Sequence, residues 1–258
     1  MRALLLAAGF GTRLRPLTDT VPKCLVPIGD RSLLDLWLDL LFTSGIERVL
    51  VNTHHHAETV CRHLAASCWS NRIDWVHEPA LLGTGGTVLA NRNFFSDRPF
   101  LVAHADNLTD FDVANLIARH AARPSGVEIT MLAFHTDRPQ HSGILELAPD
   151  DRVIGFHEKV ADPPGTLANG AVYVFEPAVV DAIAAMGKPT VDLSTEIIPS
   201  FLGRILAVRH HGYHRDIGTP ESLQRARDDV AAGAVIPSTN VTADRRRSSS
   251  LLATDALP

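Results

Sequence analysis

Leu4-Leu5-Leu6-Ala7-Ala8-Gly9-Phe10-Gly11-Thr12-Arg13-Leu14-Arg15-Pro16-Leu17-Thr18, followed by Pro22-Lys23, decides the reading of this chain. An apolar strand runs directly into a glycine turn that carries two arginines, and a lysine stands ten residues beyond Arg13. Glycine has no Cβ to keep a ligand off the backbone, and exposed N–H groups beside cationic side chains bind phosphate. The pattern points to a nucleoside triphosphate. It matches neither common phosphate fingerprint. Leu14 stands where the dinucleotide motif has its last glycine, and the Gly-Lys-Ser/Thr of a Walker A loop is missing.

Working outward, the 258 residues suffice for one large α/β domain or two small ones. Apolar residues make up 45% and charged residues 21%, the balance of an ordinary globular protein. A net charge of −5 gives no electrostatic case for nucleic acid as a partner. No apolar run is long enough to cross a bilayer, so no membrane role is expected. Met1–Gly9 is too short and too abruptly followed by Gly-Thr-Arg-Leu-Arg for a secretory signal, and reads as the first core strand. Cys24, Cys61 and Cys68 show neither paired nor metal-ligand spacing, which fits reduced thiols and a cytoplasmic location.

Short apolar runs alternate with helical patterns through the first half, predicting an α/β fold with a mostly parallel sheet and crossover helices. Strands are expected at Arg2–Ala7, Arg48–Asn52, Ile73–Val76, Phe100–Ala103 and Val127–Phe134. Helices are expected at Leu33–Ser44 behind a Ser32 cap, at Ala57–Ala66, after the Glu78–Thr87 loop to near Asn93, and at Asp112–Ala122. The second half changes character. A hairpin is expected from Gly143–Leu147 and Val153–Phe156, with strands at Ala168–Phe175, Ile205–Arg209 and Tyr213–Arg215. Helices are predicted over Ala178–Ala185, over Ser194–Leu202 and, with Pro at the first turn, over Pro220–Ala232. One domain over residues 1–236 is expected, its nucleotide half ending near 135 and its sugar-phosphate half following. Residues 237–258, with Arg245-Arg246-Arg247, read as a disordered tail. No hexapeptide array that would build a β-helix is present.

The opening segment resembles the signature of the sugar-1-phosphate nucleotidylyltransferases, Gly-x-Gly-Thr-Arg-Leu-x-Pro-Leu-Thr followed by Pro-Lys. Five further stretches are similar to that family's segments, in its order. Leu82-Gly83-Thr84-Gly85-Gly86 resembles the base and ribose loop. Ala103-His104-Ala105-Asp106-Asn107 resembles the strand end whose Asp binds magnesium. Phe156-His157-Glu158-Lys159 and Asn169-Gly170-Ala171-Val172-Tyr173 resemble the segments that hold the sugar phosphate and line the sugar pocket. Asp216-Ile217-Gly218-Thr219-Pro220-Glu221 matches the box that supplies the second metal ligand. Two departures stand out: Ala105 replaces the usual Gly, which requires a negative φ there, and Val160 replaces the Pro after Lys159.

The resemblance implies a Rossmann-like, glycosyltransferase-A-like nucleotidyltransferase fold with a small β-rich sugar-binding insertion. It implies nucleotide contacts from Leu6, Ala8, Gly9, Gly11, Thr12, Arg13, Glu78, Gly83 and Thr84. Sugar-phosphate contacts would come from Gly143, Glu158, Lys159, Asn169 and Gly170, and Mg²⁺ ligation from Asp106 and Asp216. The implied reaction is attack of a sugar-1-phosphate oxygen on the α-phosphate of an NTP, giving an NDP-sugar and pyrophosphate. Bringing two anions together makes charge neutralisation the main task, so Arg13, Lys23 and Asp106 carry the catalytic expectation. Arg13 would spread its donors over the β- and γ-phosphates, Lys23 would meet the α-phosphate, and Lys159 would hold the acceptor. A phosphate nucleophile is already ionised, so no general base is needed.

Within the family, Leu82–Gly86 with Pro22-Lys23 looks closest to the branch that transfers guanylyl groups to mannose- or heptose-1-phosphate, which favours GTP. The length fits the heptose type. Uridylyl transfer to an N-acetylated or other hexose-1-phosphate is the alternative, whereas thymidylyl enzymes usually show Ser-Lys-Gln at Pro22-Lys23-Cys24. The family often forms dimers, and a homodimer is the matching expectation. Two readings of another kind are a non-catalytic nucleotide-sugar-binding regulatory subunit, disfavoured by retention of Asp106, Asp216, Arg13 and Lys23, and a transferase with a non-sugar acceptor, disfavoured by the Glu158-Lys159 and Asn169-Gly170 stretches. Other polar residues read plainly: His54-His55-His56 as a strand-end loop lining the cleft and not a zinc site, His210, His211 and His214 as a solvent-facing strand end, Asp110 and Asp112 as helix starters, and Glu196 as either a sugar contact or a first-turn acid behind a Ser194 cap.

Overall fold

A computed structural model describes residues 1–235; the predicted tail with Arg245–Arg247 lies outside the described residues. The central strand is β1 (Arg2–Leu6). The glycine turn after it passes through 3-10 turns at Thr12–Leu14, Leu17–Asp19 and Lys23–Leu25. A two-residue ladder of β2 (Pro27–Ile28) with β3 (Arg31–Ser32) then leads into α1 (Leu33–Thr43). Ser32 caps α1 as its sequence position predicts: its Oγ accepts the Asp35 N–H at 3.1 Å. Next come β4 (Arg48–Thr53), α2 (Ala57–Ala66), β5 (Ile73–His77), α3 (Gly83–Ala90), α4 (Arg92–Phe95), β6 (Phe100–His104), β7 (Asn107–Thr109), α5 (Val113–Ala121) and β8 (Ile129–His135). The second half holds β9 (Gly143–Leu147), β10 (Val153–Glu158), β11 (Leu167–Phe175), α6 (Pro177–Ala185), α7 (Ile198–Ser200), β12 (Ile205–His210), β13 (His214–Asp216) and α8 (Pro220–Ala231).

The nine-stranded sheet is mixed and flanked by helices. β1 lies between β4 and β6 and is parallel to both, β4 is parallel to β5, and β12 is parallel to β8. β11 is inserted antiparallel between β6 and β8, and the β9–β10 hairpin joins it at Ala168↔Ile144. β13 pairs with β7 in a separate ladder. β1 shows why the sheet is buried on both faces. Ala3 and Leu5 enter one apolar layer with Leu34, Trp37 and Leu38 of α1, and Leu4 enters the other with Phe100, Tyr173 and Phe175.

The structure moves several predicted boundaries. β1 stops at Leu6, and the helix expected to run to Asn93 breaks at Asn91 into α3 and α4. Asp192, not Ser194, caps the next helical segment, accepting the Thr195 N–H at 2.9 Å. That segment is a π-turn over Leu193–Ile197 before the brief α7. Pro199 has no N–H to give the carbonyl four residues back, so regular α-helix cannot run through it. Asp112 caps α5 as expected, holding the Asn115 N–H at 2.8 Å. Asp110 instead accepts the Tyr213 N–H at 2.7 Å, tying the exit of β7 to the β13 loop.

Candidate active site

The carboxyl ends of β1, β4 and β6 open on one cleft of about 210 Å³, the edge where open α/β sheets receive ligands. Leu6, Ala8, Gly9, Lys23, Glu78 and Gly83 are in its wall, together with Thr84 and Asp106. Gly9 has nothing within 4 Å of where a Cβ would stand, so its backbone is open to a ligand. Gly11 is there for the turn. Its φ is +64°, and a Cβ would lie 2.9 Å from Thr18 Cγ2 and 3.2 Å from Lys23 Cβ. Thr18 Oγ1 donates to the Gly11 carbonyl at 2.8 Å and closes that turn against Lys23.

Lys23 Nζ lies 2.6 Å from Asp106 Oδ2 and 3.6 Å from Asp216 Oδ1, and Arg13 Nη2 lies 3.5 Å from Asp216 Oδ2. Asp106 follows β6 and Asp216 ends β13. The β7–β13 ladder, with Asn107 opposite Asp216, joins these positions across 110 residues of sequence. Burial alone would raise the Asp106 carboxyl, but the charge of Lys23, that of His104 and the Lys23 hydrogen bond outweigh it and hold it down at about 2. Burial works against the Lys23 ammonium too, and Asp106 and Asp216 outweigh it, raising its pKa. Ala105 keeps its backbone out of the left-handed region, so its methyl is accommodated, and its N–H donates to the Leu6 carbonyl at 3.0 Å.

The second glycine stretch is built differently. The N–H groups of Gly85 and Gly86 both donate to the Val191 carbonyl, at 2.8 and 3.2 Å, and Val191 N–H donates to Leu82 O at 3.1 Å. A Cβ on Gly83, where φ is +75°, would overlap the Val191 carbonyl, and one on Gly85 would stand 2.9 Å from Val191 Cγ1. Thr84 Oγ1 accepts the Leu193 N–H at 2.7 Å and donates to Asp192 Oδ2 at 3.2 Å. Glu78 is also engaged by the protein. Its Oε1 accepts from Thr87 Oγ1 at 2.7 Å and Asn52 Nδ2 at 3.0 Å, and Oε2 receives the Leu82 N–H at 3.4 Å.

Of the residues expected to hold the sugar phosphate, two lie next to the strand that leads to Asp106. Register Val172↔Ala103 sets Gly170 and Asn169 just past the end of β6. β11 bulges there, with Ala171 at φ +53° and Asn169 Oδ1 accepting the Ala171 N–H at 2.9 Å. Asn169 Nδ2 donates to the buried Tyr173 hydroxyl at 2.7 Å. Lys159, at φ +52°, pairs with Glu158 at 2.8 Å, and its N–H donates to Ser142 O at 3.2 Å. A Cβ on Gly143 would lie 2.6 Å from Glu158 Oε2, so that glycine makes room for a side chain of the site.

A nucleotidyl transferase family model matches residues 2–233. The chain belongs to that family. It is 31% identical to a mannose-1-phosphate guanylyltransferase of Mycobacterium tuberculosis over 236 residues, covering 90% of this chain and 65% of that one. It is 29% identical over 229 residues to a mannose-1-phosphate guanylyltransferase catalytic subunit beta of Dictyostelium discoideum, covering 86% and 62%. The chain thus spans somewhat less than two thirds of the length of these relatives. A Bacillus anthracis crystal structure named as a glucose-1-phosphate thymidylyltransferase superposes with a TM-score of 0.80 at 20% identity, covering 88% of this chain and 94% of that one, and shows the same fold.

The two carboxylates fit the hard-cation role that the family implies. Asp106 and Asp216 flank one ammonium, and their oxygens are the donors magnesium takes, one or two at a time, with phosphate oxygens and water completing its shell. Among the described residues no group of three or more His, Cys, Asp and Glu side chains is disposed to hold a metal alone.

The histidines are placed otherwise than predicted. His54 and His55 pack against Phe10 of the turn after β1, with ring centroids at 5.1 and 5.7 Å, and are not in the cleft wall. His54 Nδ1 lies 2.7 Å from Glu78 O. His211 is exposed, as expected, but His214 lies under Phe134 with Nδ1 3.0 Å from Thr109 Oγ1, and burial pushes its pKa down to about 3. Glu196 binds Lys188 and accepts the Asp192 N–H at 2.9 Å, a capping role. Asn52 was missed. It accepts the Ala7 N–H at 2.7 Å and donates to Glu78, locking the start of the turn after β1 to the α3 loop. Its signal was present: an Asn closing the apolar run Val49-Leu50-Val51 must have partners once buried.

Proposed function

We propose that the protein transfers a nucleotidyl group from an NTP to a sugar-1-phosphate, with GTP as donor and mannose-1-phosphate or a manno-heptose-1-phosphate as acceptor. The carrying observation is the Arg13–Asp216–Lys23–Asp106 cluster, whose Lys23 and Asp106 are in the cleft wall. The relatives' names support the guanylyl donor and the mannose-type acceptor. Uridylyl transfer to another hexose-1-phosphate is the competing donor choice.

Leu6, Ala8, Gly9, Gly11 and Thr12 offer backbone to the nucleotide, and Glu78 acts by holding Asn52, Thr87 and Leu82 in place. Arg13 takes charge on the β- and γ-phosphates, and Lys23 meets the α-phosphate as negative charge builds on it. Lys159 and Asn169 orient the acceptor, whose ionised phosphate oxygen attacks α-phosphorus while the bond to the β-bridging oxygen breaks. Asp106 and Asp216 would hold magnesium, which would supply charge neutralisation there. Among the described residues no helix is long and apolar enough to cross a membrane, and Cys24, Cys61 and Cys68 are unpaired, which supports a cytoplasmic enzyme. The test is a pyrophosphate-release screen of the common NTPs against mannose-, glucose-, heptose- and N-acetylhexosamine-1-phosphates with Mg²⁺. Release with GTP and a manno-configured acceptor is expected. Release with UTP and an N-acetylated acceptor would overturn the donor assignment, and no release with any pair would overturn the reaction.

A further inference from the structure

His214 has no part in that account, yet it touches both halves of the site. The β7–β13 ladder pairs His214 with Thr109 and Asp216 with Asn107, so the ladder that brings Asp216 to Asp106 also carries this ring. Side chains two apart on a strand share a face, and His214 and Asp216 both line a cavity of about 510 Å³ whose wall includes Phe134 and Ser142. On the ladder side, His214 Nδ1 lies 3.0 Å from Thr109 Oγ1. On the other side the ring packs on Phe134 of β8, with centroids 4.3 Å apart, and bonds the backbone of Gly170.

The course of β11 explains why Gly170 needs such a partner. Ala168 and Asn169 pair with Phe134 and Ala133 of β8, and the register then jumps to Tyr173↔Met131. On its other edge, pairing with β6 begins only at Val172↔Ala103. Gly170 and Ala171 fall in neither register, and a bulge leaves the backbone groups of its extra residues to other partners. Asn169 Oδ1 takes the Ala171 N–H at 2.9 Å from within the bulge. His214 meets Gly170 from outside it. A neutral imidazole has one donor and one acceptor. With Nδ1 accepting the Thr109 hydroxyl, Nε2–H is the donor that serves the Gly170 carbonyl. We propose that His214 is a positioning residue, a strut that fixes the acceptor-binding bulge of β11 against the ladder carrying Asp216. It touches no substrate. It sets where Asn169 and Gly170 present the sugar-1-phosphate, and a displacement of about 1 Å in such an arrangement is enough to slow an in-line attack.

The inference rests on the proposed transfer reaction, in which Asn169 and Gly170 serve the acceptor, and the experiment separates the two. GDP-mannose and GDP are titrated into the full chain, because only the first reaches the acceptor half; the matching pair is used if the pyrophosphate-release screen selects another nucleotide. The amide of Asn reaches the Nδ1 position of a histidine and that of Gln the Nε2 position. His214→Asn, which loses the Gly170 contact, is expected to weaken GDP-mannose about tenfold and GDP by less than about twofold, with KM for the sugar-1-phosphate raised to match. His214→Gln keeps a donor for Gly170 and should stay within about threefold of the parent for both ligands. Thr109→Val, a mild change that removes the hydroxyl orienting the ring, should weaken GDP-mannose about threefold and spare GDP, which keeps the test open if the Asn variant fails to fold. Equal losses for GDP and GDP-mannose overturn the inference, since they would mark a general structural role. Asn and Gln variants that behave alike, or binding unchanged in all three variants, overturn it too. A wild type that turns over no substrate pair removes the proposed reaction, and the two titrations still decide whether His214 acts on the sugar half alone.

Discussion

The two glycine-bearing stretches of the cleft look alike in sequence and are built in opposite ways. At Gly9 the space where a Cβ would go is empty. At Gly83 and Gly85 that space, and the N–H groups of Gly85 and Gly86 in the first turn of α3, are taken by Val191 from the second half of the chain. One loop leaves the space over its backbone empty, and the other needs glycine so that a second segment of protein can approach. A glycine pattern reports close approach; it does not report what approaches.

That contrast is best broken at the charged cluster first. Asp106→Asn and Asp216→Asn are each expected to lower kcat by on the order of 10³-fold or more while the thermal midpoint stays near the parent's, because the lost group serves charge neutralisation and not packing. Full activity in either variant would refute the assignment. The glycines separate the two loops directly. Gly83→Ala forces a methyl into the Val191 carbonyl at a left-handed φ, and we expect a loss of about 3 kcal/mol, or roughly 6–12 °C in Tm. Gly9→Ala, at a φ outside the left-handed region and with open space, should change stability by less than about 0.5 kcal/mol yet raise KM for the NTP about tenfold. If the two variants exchange phenotypes, the contrast is wrong.

Thr84→Val sharpens it further. The Leu193 N–H loses its acceptor, at a cost of about 1–2 kcal/mol readable in a denaturant midpoint. The smallest effect lies at the opposite end of the sheet, where His120 sits between Thr130 Oγ1 at 2.8 Å and Glu176 Oε1 at 3.0 Å. Burial lowers its pKa, Arg123 adds to the shift, and Glu176 opposes it. A histidine lowered in the folded state contributes stability above its unfolded value and loses it as pH falls below that value. Stability should therefore decline between about pH 7 and 5, and His120→Gln should flatten that part of the profile; a steeper profile in the variant would contradict the assignment.

Much of the first half was legible because its signals are local. Apolar runs set β1, β4 and β6, Ser32 and Asp112 stand where caps belong, and the charge-bearing turn sits straight after β1. The joining of Asp106 to Asp216 came from the family resemblance and not from periodicity, since only the β7–β13 ladder creates it. The rest depended on partners far away in sequence. Neither the Val191 clasp nor the engagement of Glu78 by Asn52 and Thr87 leaves a short-range pattern, and the Asp192 cap was hidden behind a plausible Ser194.

The Val191 clasp has a consequence for synthesis on the ribosome. Thr84 binds Asp192, 108 positions later, so a nascent chain that has emerged only as far as α6 holds the turn after β1 but an unsupported α3 start. An amino-terminal fragment ending near residue 135 lacks that clasp and would leave the start of α3 without its partner.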